Sequence, residues 1–265
     1  MSTATTTTGG AAFGTLDLDS TPRIGFGRLL RVELRKLVDT RASRWLLAAI
    51  AVVTIAIIVI FYLVSDPDDR TFGNFTAATG ILQSYLLPIL PIMLVTSEWS
   101  QRTALTTFTL VPGRGRVVLA KVVVSVLAGL AAVALALALA AFGAAVGGAS
   151  DPFRVSGVDW VGKFALLETL GVLQGLAFAL LFLSSAAAIV TYLVVPIAFS
   201  IVANVWSALR DAAPWIDLGT AQSPLQDPAS QLDGKDWLHL LTATAIWIAL
   251  PFVLGLLRLL RAEVK

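Results

Sequence analysis

Six stretches of this chain are each long and apolar enough to cross a bilayer, and that one feature excludes most other folds. A helix needs about 20 mostly apolar residues to traverse the hydrocarbon. Spans are predicted at about 45–64, 75–95, 117–146, 160–183, 186–206 and 237–257. The chain is 57% hydrophobic and only 14% charged, where soluble domains run to about 45–50% and about 25%. One water-soluble core cannot hide that much apolar surface, so lipid has to cover part of it. The expected fold is all-α, an integral membrane protein with six transmembrane helices.

The spans have individual features. Pro88 and Pro91 fall near the end of the second. The third is longer than the bilayer requires, so its start projects beyond the membrane or the helix tilts. Only Ser184 and Ser185 separate the fourth from the fifth. A single helix there would be about twice the crossing length, so a tight hairpin is expected.

Orientation follows from the basic residues of the short loops. Arg23, Arg28, Arg31, Arg35, Lys36, Arg41 and Arg44 precede the first span. Arg102, Arg114, Arg116 and Lys121 lie between the second and third, and Arg258, Arg261 and Lys265 follow the sixth. The alternate loops are acidic, with Asp66, Asp68, Asp69, Asp151, Asp217, Asp227, Asp233 and Asp236 among them. Both termini are therefore expected in the cytoplasm, and the location is a cell (plasma or inner) membrane. Trp45, Trp160, Trp206 and Trp237 sit at span ends, where tryptophan anchors a helix at the interface. Residues 1–22 lack a basic start and an apolar core, so they are expected to be a disordered cytoplasmic tail and not a signal peptide.

Residues 23–44 are expected to form an amphipathic interfacial helix ahead of the six-span domain at 45–265. Phe26, Leu29, Leu30, Leu34, Leu37 and Val38 recur at helical spacing, with Arg28, Arg31, Arg35 and Asp39 opposite. Such a helix lies in the headgroup plane, or is simply a helical positive-inside flank. Glu33 falls within the apolar face. It can pair with Lys36 one turn on, or meet a partner protein.

The connection from Thr96 to Lys121 is too long for a simple turn between helices, which takes about 2–8 residues. Gln101 to Leu110 can form a short helix that Val111-Pro112-Gly113 would end. With Leu105 and Phe108 on it, this helix is a docking surface or folds against headgroups. The loop from Ser207 to Asp236 is also too long to be structureless, and short helices at the outer rim are expected. Asn74-Phe75-Thr76 fits a glycosylation sequon but abuts a span, so it carries little weight.

Chemistry of its own is not expected. There are no cysteines and one histidine, His239, which leaves no thiolate or multi-histidine metal site. No phosphate-binding loop occurs; Gly113-Arg114-Gly115 lacks the lysine. No metalloprotease or serine-hydrolase pattern is present. The chain is thus expected to be no enzyme, with no catalytic residue, no metal, no cofactor and no nucleic-acid partner. Glu168 is the one acidic residue well inside a span, and a carboxyl there is a functional candidate because burying its charge is costly. Lying near Trp160 and Lys163, it can instead reach the outer interface. Gln83, Gln174 and Asn204, with Ser84 and Thr191, line a substrate path or join helices by hydrogen bonds. His239 is read as an interface residue.

These stretches together resemble the ABC transporter permeases of the second, exporter-related class, over nearly the full length. Arg31-Val-Glu-Leu-Arg-Lys-Leu, followed by Arg41 and the first span, looks like that family's amphipathic helix. Ser97-Glu98-Trp99, then Thr103, Leu110, Pro112, Arg116 and Lys121, looks like its cytoplasmic coupling loop. Arg102 stands where many relatives have glycine before the threonine. The resemblance implies two six-span subunits, the second a copy of this chain or a homologous permease. It implies separate cytoplasmic ATPase subunits that bind ATP and Mg and drive alternating access. Glu33, Lys36, Glu98, Arg102, Thr103, Leu105, Phe108, Arg114 and Arg116 would then be coupling candidates, with Glu98 and Arg102 making charge contacts to the ATPase. Gln83, Glu168, Gln174 and Asn204 would line the path of a hydrophobic or amphipathic cargo. The alternatives are an ion-coupled secondary carrier, for which internal repeats and several intramembrane charges are expected, and a non-transporting membrane partner of an ATPase.

Overall fold

The computed structural model describes residues 24–101, 103–111, 113–154 and 158–261, without the side chains of Ala104, Phe108, Val158, Asn204 and Ala208. The 1–22 tail and Arg102 lie outside the described residues. Among the described residues every regular element is helical. Six helices are long and apolar enough to cross a membrane: Arg41–Val64, Phe72–Ser100, Arg114–Gly147, Asp159–Phe182, Ser185–Ala203 and Gly234–Arg261. This is the architecture of a multi-pass membrane protein.

The chain opens with α1 (Phe26–Asp39), which stops where Thr40 turns extended, and continues into α2 (Arg41–Val64). Thr40 caps α2 by accepting from the Ser43 amide. The buried stripe of α1 is Leu29, Glu33 and Leu37 at successive turns, while Val32, Leu34 and Val38 remain exposed. Leu34 and Val38 therefore do not share the covered face on which the sequence periodicity grouped them. The outward side of α2 carries Val52, Ile55, Val59, Ile60, Leu63 and Val64, a surface only an apolar medium satisfies.

The second span is broken. α3 (Phe72–Leu86) and α4 (Ile89–Ser100) meet at Pro88. Proline has no amide hydrogen, so the carbonyl four residues earlier loses its partner. That carbonyl belongs to Ser84, and the Tyr192 hydroxyl donates to it at 2.5 Å. The break is thus held by a side chain from the fifth span. Tyr192→Phe would leave a part-buried carbonyl unsatisfied and is expected to cost about 1 kcal/mol. Unfolding in detergent measures it, and an unchanged midpoint would mean another donor replaces the hydroxyl.

After the short α5 (Ala104–Leu110), α6 runs unbroken for 34 residues from Arg114 to Gly147. At 1.5 Å per residue it is about 51 Å long, well beyond the bilayer core of about 30 Å. The predicted start at 117 moves back to 114, and Arg114 and Arg116 become the first turn of the helix. α7 (Val158–Phe182) is the central strut, packed against α3, α4, α6, α8 and the last span. It turns into α8 (Ser185–Val205) through Leu183 at φ 55° and an extended Ser184. The expected hairpin is therefore real, at the cost of a leucine in the left-handed region.

Beyond α8, the long connection folds into α9 (Ser207–Arg210), α10 (Ala213–Ile216) and α11 (Leu218–Gln226), as its length predicted. Asp217 caps α11 by accepting from the Thr220 amide, and its carboxylate also accepts from Ser200 of α8. The last span comprises α12 (Gly234–Thr244), a π-helical turn at Ala245–Ala249 and α13 (Leu250–Arg261). Trp247, in that π turn, donates to Ile216 at 2.7 Å and ties the span to the outer helices.

Three of the four tryptophans expected at interfaces are exposed: Trp45 at 77%, Trp206 at 60% and Trp237 at 49%. Trp160 is the correction. At 3% exposure it is buried in a cluster with Phe72 and Phe75, because α7 sits in the middle of the bundle and not on its rim. His239 stacks edge-on against Trp215 with ring centroids 4.4 Å apart. The Asn74 amide donates to the Asp69 carbonyl at 2.7 Å.

Candidate functional site

Four charged side chains close a ring at the end of the bundle that holds α1, α5 and the start of α6. Glu33 takes the Lys36 ammonium at 2.8 Å and the Lys121 ammonium at 2.7 Å. Glu98 takes the same two lysines at 2.6 and 3.2 Å. Charges alternate around the ring and cancel. Each corner comes from a different position in the chain: α1 supplies Glu33 and Lys36, the end of α4 supplies Glu98, and the second turn of α6 supplies Lys121.

Burial makes this arrangement matter. The side chains of Glu33, Glu98 and Lys121 are 0%, 4% and 4% exposed, and only Lys36, at 29%, reaches outward. Buried charges are tolerated only when paired and hydrogen-bonded. Lys121 meets that condition with three acceptors for its three hydrogens: Glu33, Glu98 and the Leu94 carbonyl at 3.2 Å. Burial works against the Lys36 ammonium. The charges of Glu98 and Glu33 outweigh it and hold its pKa above the ordinary 10.5. A raised pKa contributes stability that is complete below pH 10.5 and is lost as pH climbs through the raised value. The stability difference between the native chain and Lys36→Met is therefore expected to be constant near neutrality and to shrink above pH 10.5. Denaturation series across the alkaline range test it; a difference independent of pH would remove Lys36 from the ring.

The ring is wired to α5. The Thr103 amide donates to the Glu98 carbonyl at 2.9 Å, and the Thr107 hydroxyl reaches the Glu98 carboxylate at 3.4 Å. α5 also exposes Leu105 at 50% and Leu110 at 68%. Between α1 and α5 runs a groove of about 280 Å³ with Leu29, Val32, Leu110 and Val111 in its walls and Glu33 and Lys36 among its lining. The whole block is then fastened to the chain ends. Arg114 donates to the Leu259 carbonyl at 2.7 Å, and Arg116 to the Ile24 carbonyl at 2.8 Å.

Several sequence candidates thus come together here: Glu33, Lys36, Glu98, Thr103, Leu105, Arg114 and Arg116. Leu105 faces outward as expected, while the charged residues among them are engaged within the chain. Glu98, assigned to touch a partner's charge, points inward and is consumed by two lysines. Arg114 and Arg116 bind backbone carbonyls. The Phe108 side chain, like Arg102, lies outside the described residues. Lys121 was counted only as a loop charge, yet it closes the ring. A lysine one turn inside an apolar run was the available signal, and the misfit Glu33 was its counterpart.

The three path candidates whose side chains are described have different surroundings. Gln83 donates to the Thr54 hydroxyl at 3.2 Å, an interhelical bond between α3 and α2. Gln174 is buried and borders a groove of about 530 Å³ with Tyr85, Tyr192, Ser200 and Gln222. The Asn204 side chain lies outside the described residues. Glu168 is 1% exposed, so it does not reach the outer interface, and Lys163 donates instead to the Asp227 and Ser230 carbonyls. Neither Glu168 oxygen has a hydrogen-bond partner among the described residues. No family model matches the sequence, and a search of curated proteins gives no match.

Proposed function

We propose that this chain is the permease subunit of an ABC-type exporter, carrying a hydrophobic or amphipathic cargo out of the cytoplasm. ATP would be hydrolysed by separate subunits docked on its cytoplasmic face, and a second copy or a homologous permease would complete the path. The observation that carries this reading is the charge ring joined to an exposed α5. A partner pressing on Leu105 and Leu110 displaces α5; Glu98 passes the displacement to Lys36 and Lys121, and so to α1 and α6 together. A buried ring of this kind transmits motion because its members cannot separate without stranding a charge. The resemblance of the α1 and α5 sequences to exporter permeases supports the same assignment, as does the concentration of lysine and arginine at this end.

The test uses the full chain in native membranes. Leu105→Asp with Leu110→Asp is expected to abolish capture of an ATPase, while Lys36→Met keeps capture but loses cargo-stimulated ATP hydrolysis. Capture indifferent to α5, or cysteine labelling that places position 114 outside intact cells, sinks the proposal. Glu168 favours a second reading, an ion-coupled carrier, since a lone intramembrane carboxyl is a common coupling group. Transport that persists in vesicles without any ATPase would select it.

A further inference from the structure

At the end of the bundle away from the charge ring, α3, α7 and the end of α11 border a cavity of about 160 Å³ lined by Ala77, Gly80, Ile81, Trp160, Phe164, Leu167 and the polar Gln226. Trp160 and Phe164 form its aromatic side, with ring centroids 6.4 Å apart. The Phe164 ring lines this space, and Glu168, four residues further along α7, is not among its walls. A side-chain carbon on Gly80 would lie 2.7 Å from that ring and 3.7 Å from Glu168 Oε1, so the three groups meet at one point. The Trp160 indole nitrogen and both Glu168 oxygens are buried with no hydrogen-bond partner among the described residues.

A carboxyl held this way in apolar surroundings either keeps its proton or gives it up to pair with an incoming positive group. Among the described residues no cation bonds to it: Lys163, five residues earlier on the same helix, is turned to the Asp227 and Ser230 carbonyls. Aromatic faces attract the same kind of ligand through the ring quadrupole. We propose that this cavity binds an organic cation, with Trp160 and Phe164 as its walls and Glu168 as its counter-charge once the Phe164 ring turns aside. Drug-sized ligands need pockets of about 300 Å³ or more. The smaller volume suits a trimethylammonium head whose alkyl tail extends into lipid. This deepens the transport reading by naming the class of cargo and rests on it for that word alone, since binding is measured without any ATPase.

The experiment is equilibrium binding of hexyltrimethylammonium to the purified full chain in nanodiscs of zwitterionic lipid. Its uncharged analogue, with carbon in place of nitrogen, is the control. Saturable binding of the cation is expected, with much weaker binding of the analogue. Glu168→Gln is expected to weaken the cation by about tenfold or more while leaving the analogue unchanged. Equal binding of cation and analogue, indifference to Glu168→Gln, or no saturable binding overturns the proposal. If Glu168→Gln does not fold, the comparison of cation and analogue on the native chain decides. Failure here leaves ATPase capture through α5 untouched, so the two ideas fail separately.

Discussion

Lys121→Met is expected to destabilise the helix bundle by about 3–5 kcal/mol, the cost of leaving a buried charge without its partner. The lysine is held by Glu33 at 2.7 Å and Glu98 at 3.2 Å, and its side chain is 4% exposed. Methionine keeps the stem and removes the charge, so two carboxylates are left to share Lys36. Glu33→Met makes the reverse error and strands two lysines on Glu98. The double variant should be more stable than the sum of the single effects implies, because Lys36 and Glu98 remain as a neutral pair at 2.6 Å. Detergent unfolding of the four members of this cycle gives the coupling directly. Additive effects would mean that the ring is a set of independent contacts, and the proposed transmission through it would lose its physical basis.

Gly175→Ala is expected to cost about 2–3 kcal/mol, at the upper end for an added methyl group in a full core. The new carbon would fall 2.4 Å from the Pro88 carbonyl oxygen and 2.8 Å from its side chain. Backbone cannot swing aside as a side chain does, so either α7 retreats or the break in the second span reshapes. Gly255 repeats the situation on α13, where an added carbon would lie 2.6 Å from backbone atoms of Leu180 and Leu181. Gly162 is the control: the same helix, with nothing within 4 Å of the added carbon. Gly162→Ala should gain up to about 1 kcal/mol from helix propensity. Equal responses at 162 and 175 would show that α4 and α7 are not in contact at Pro88.

The six spans, the Ser184–Ser185 hairpin and the helical content of the 207–236 connection were legible from the sequence. Each depends on length and local composition, which tertiary contacts do not alter. The fate of individual polar residues was not. Trp160 sits at a span end as Trp237 does by spacing, yet one is buried and the other is not, because α7 is packed against α3, α4, α6, α8 and the last span while Trp237 faces out from α12. Glu168 lay near enough to Trp160 and Lys163 to be read as reaching an interface, but it is 1% exposed because its face of α7 turns into the bundle. Glu98 read as an outward charge because nothing in its neighbourhood along the chain reveals a lysine 23 positions later turning back to meet it.

By itself the chain determined that it needs an apolar medium, how many of its helices are long and apolar enough to cross a membrane, and where the basic residues gather along it, since these follow from hydropathy and charge summed along short segments. Tertiary structure alone decided that Glu33, Lys36, Glu98 and Lys121 close a ring, that Tyr192 satisfies the carbonyl freed by Pro88, and that Glu168 is left alone behind an aromatic wall. These outcomes depend on which helix faces meet. That is settled by the close approach of backbones at Gly175 and Gly255 and by the pairing of the four charges gathered in the ring.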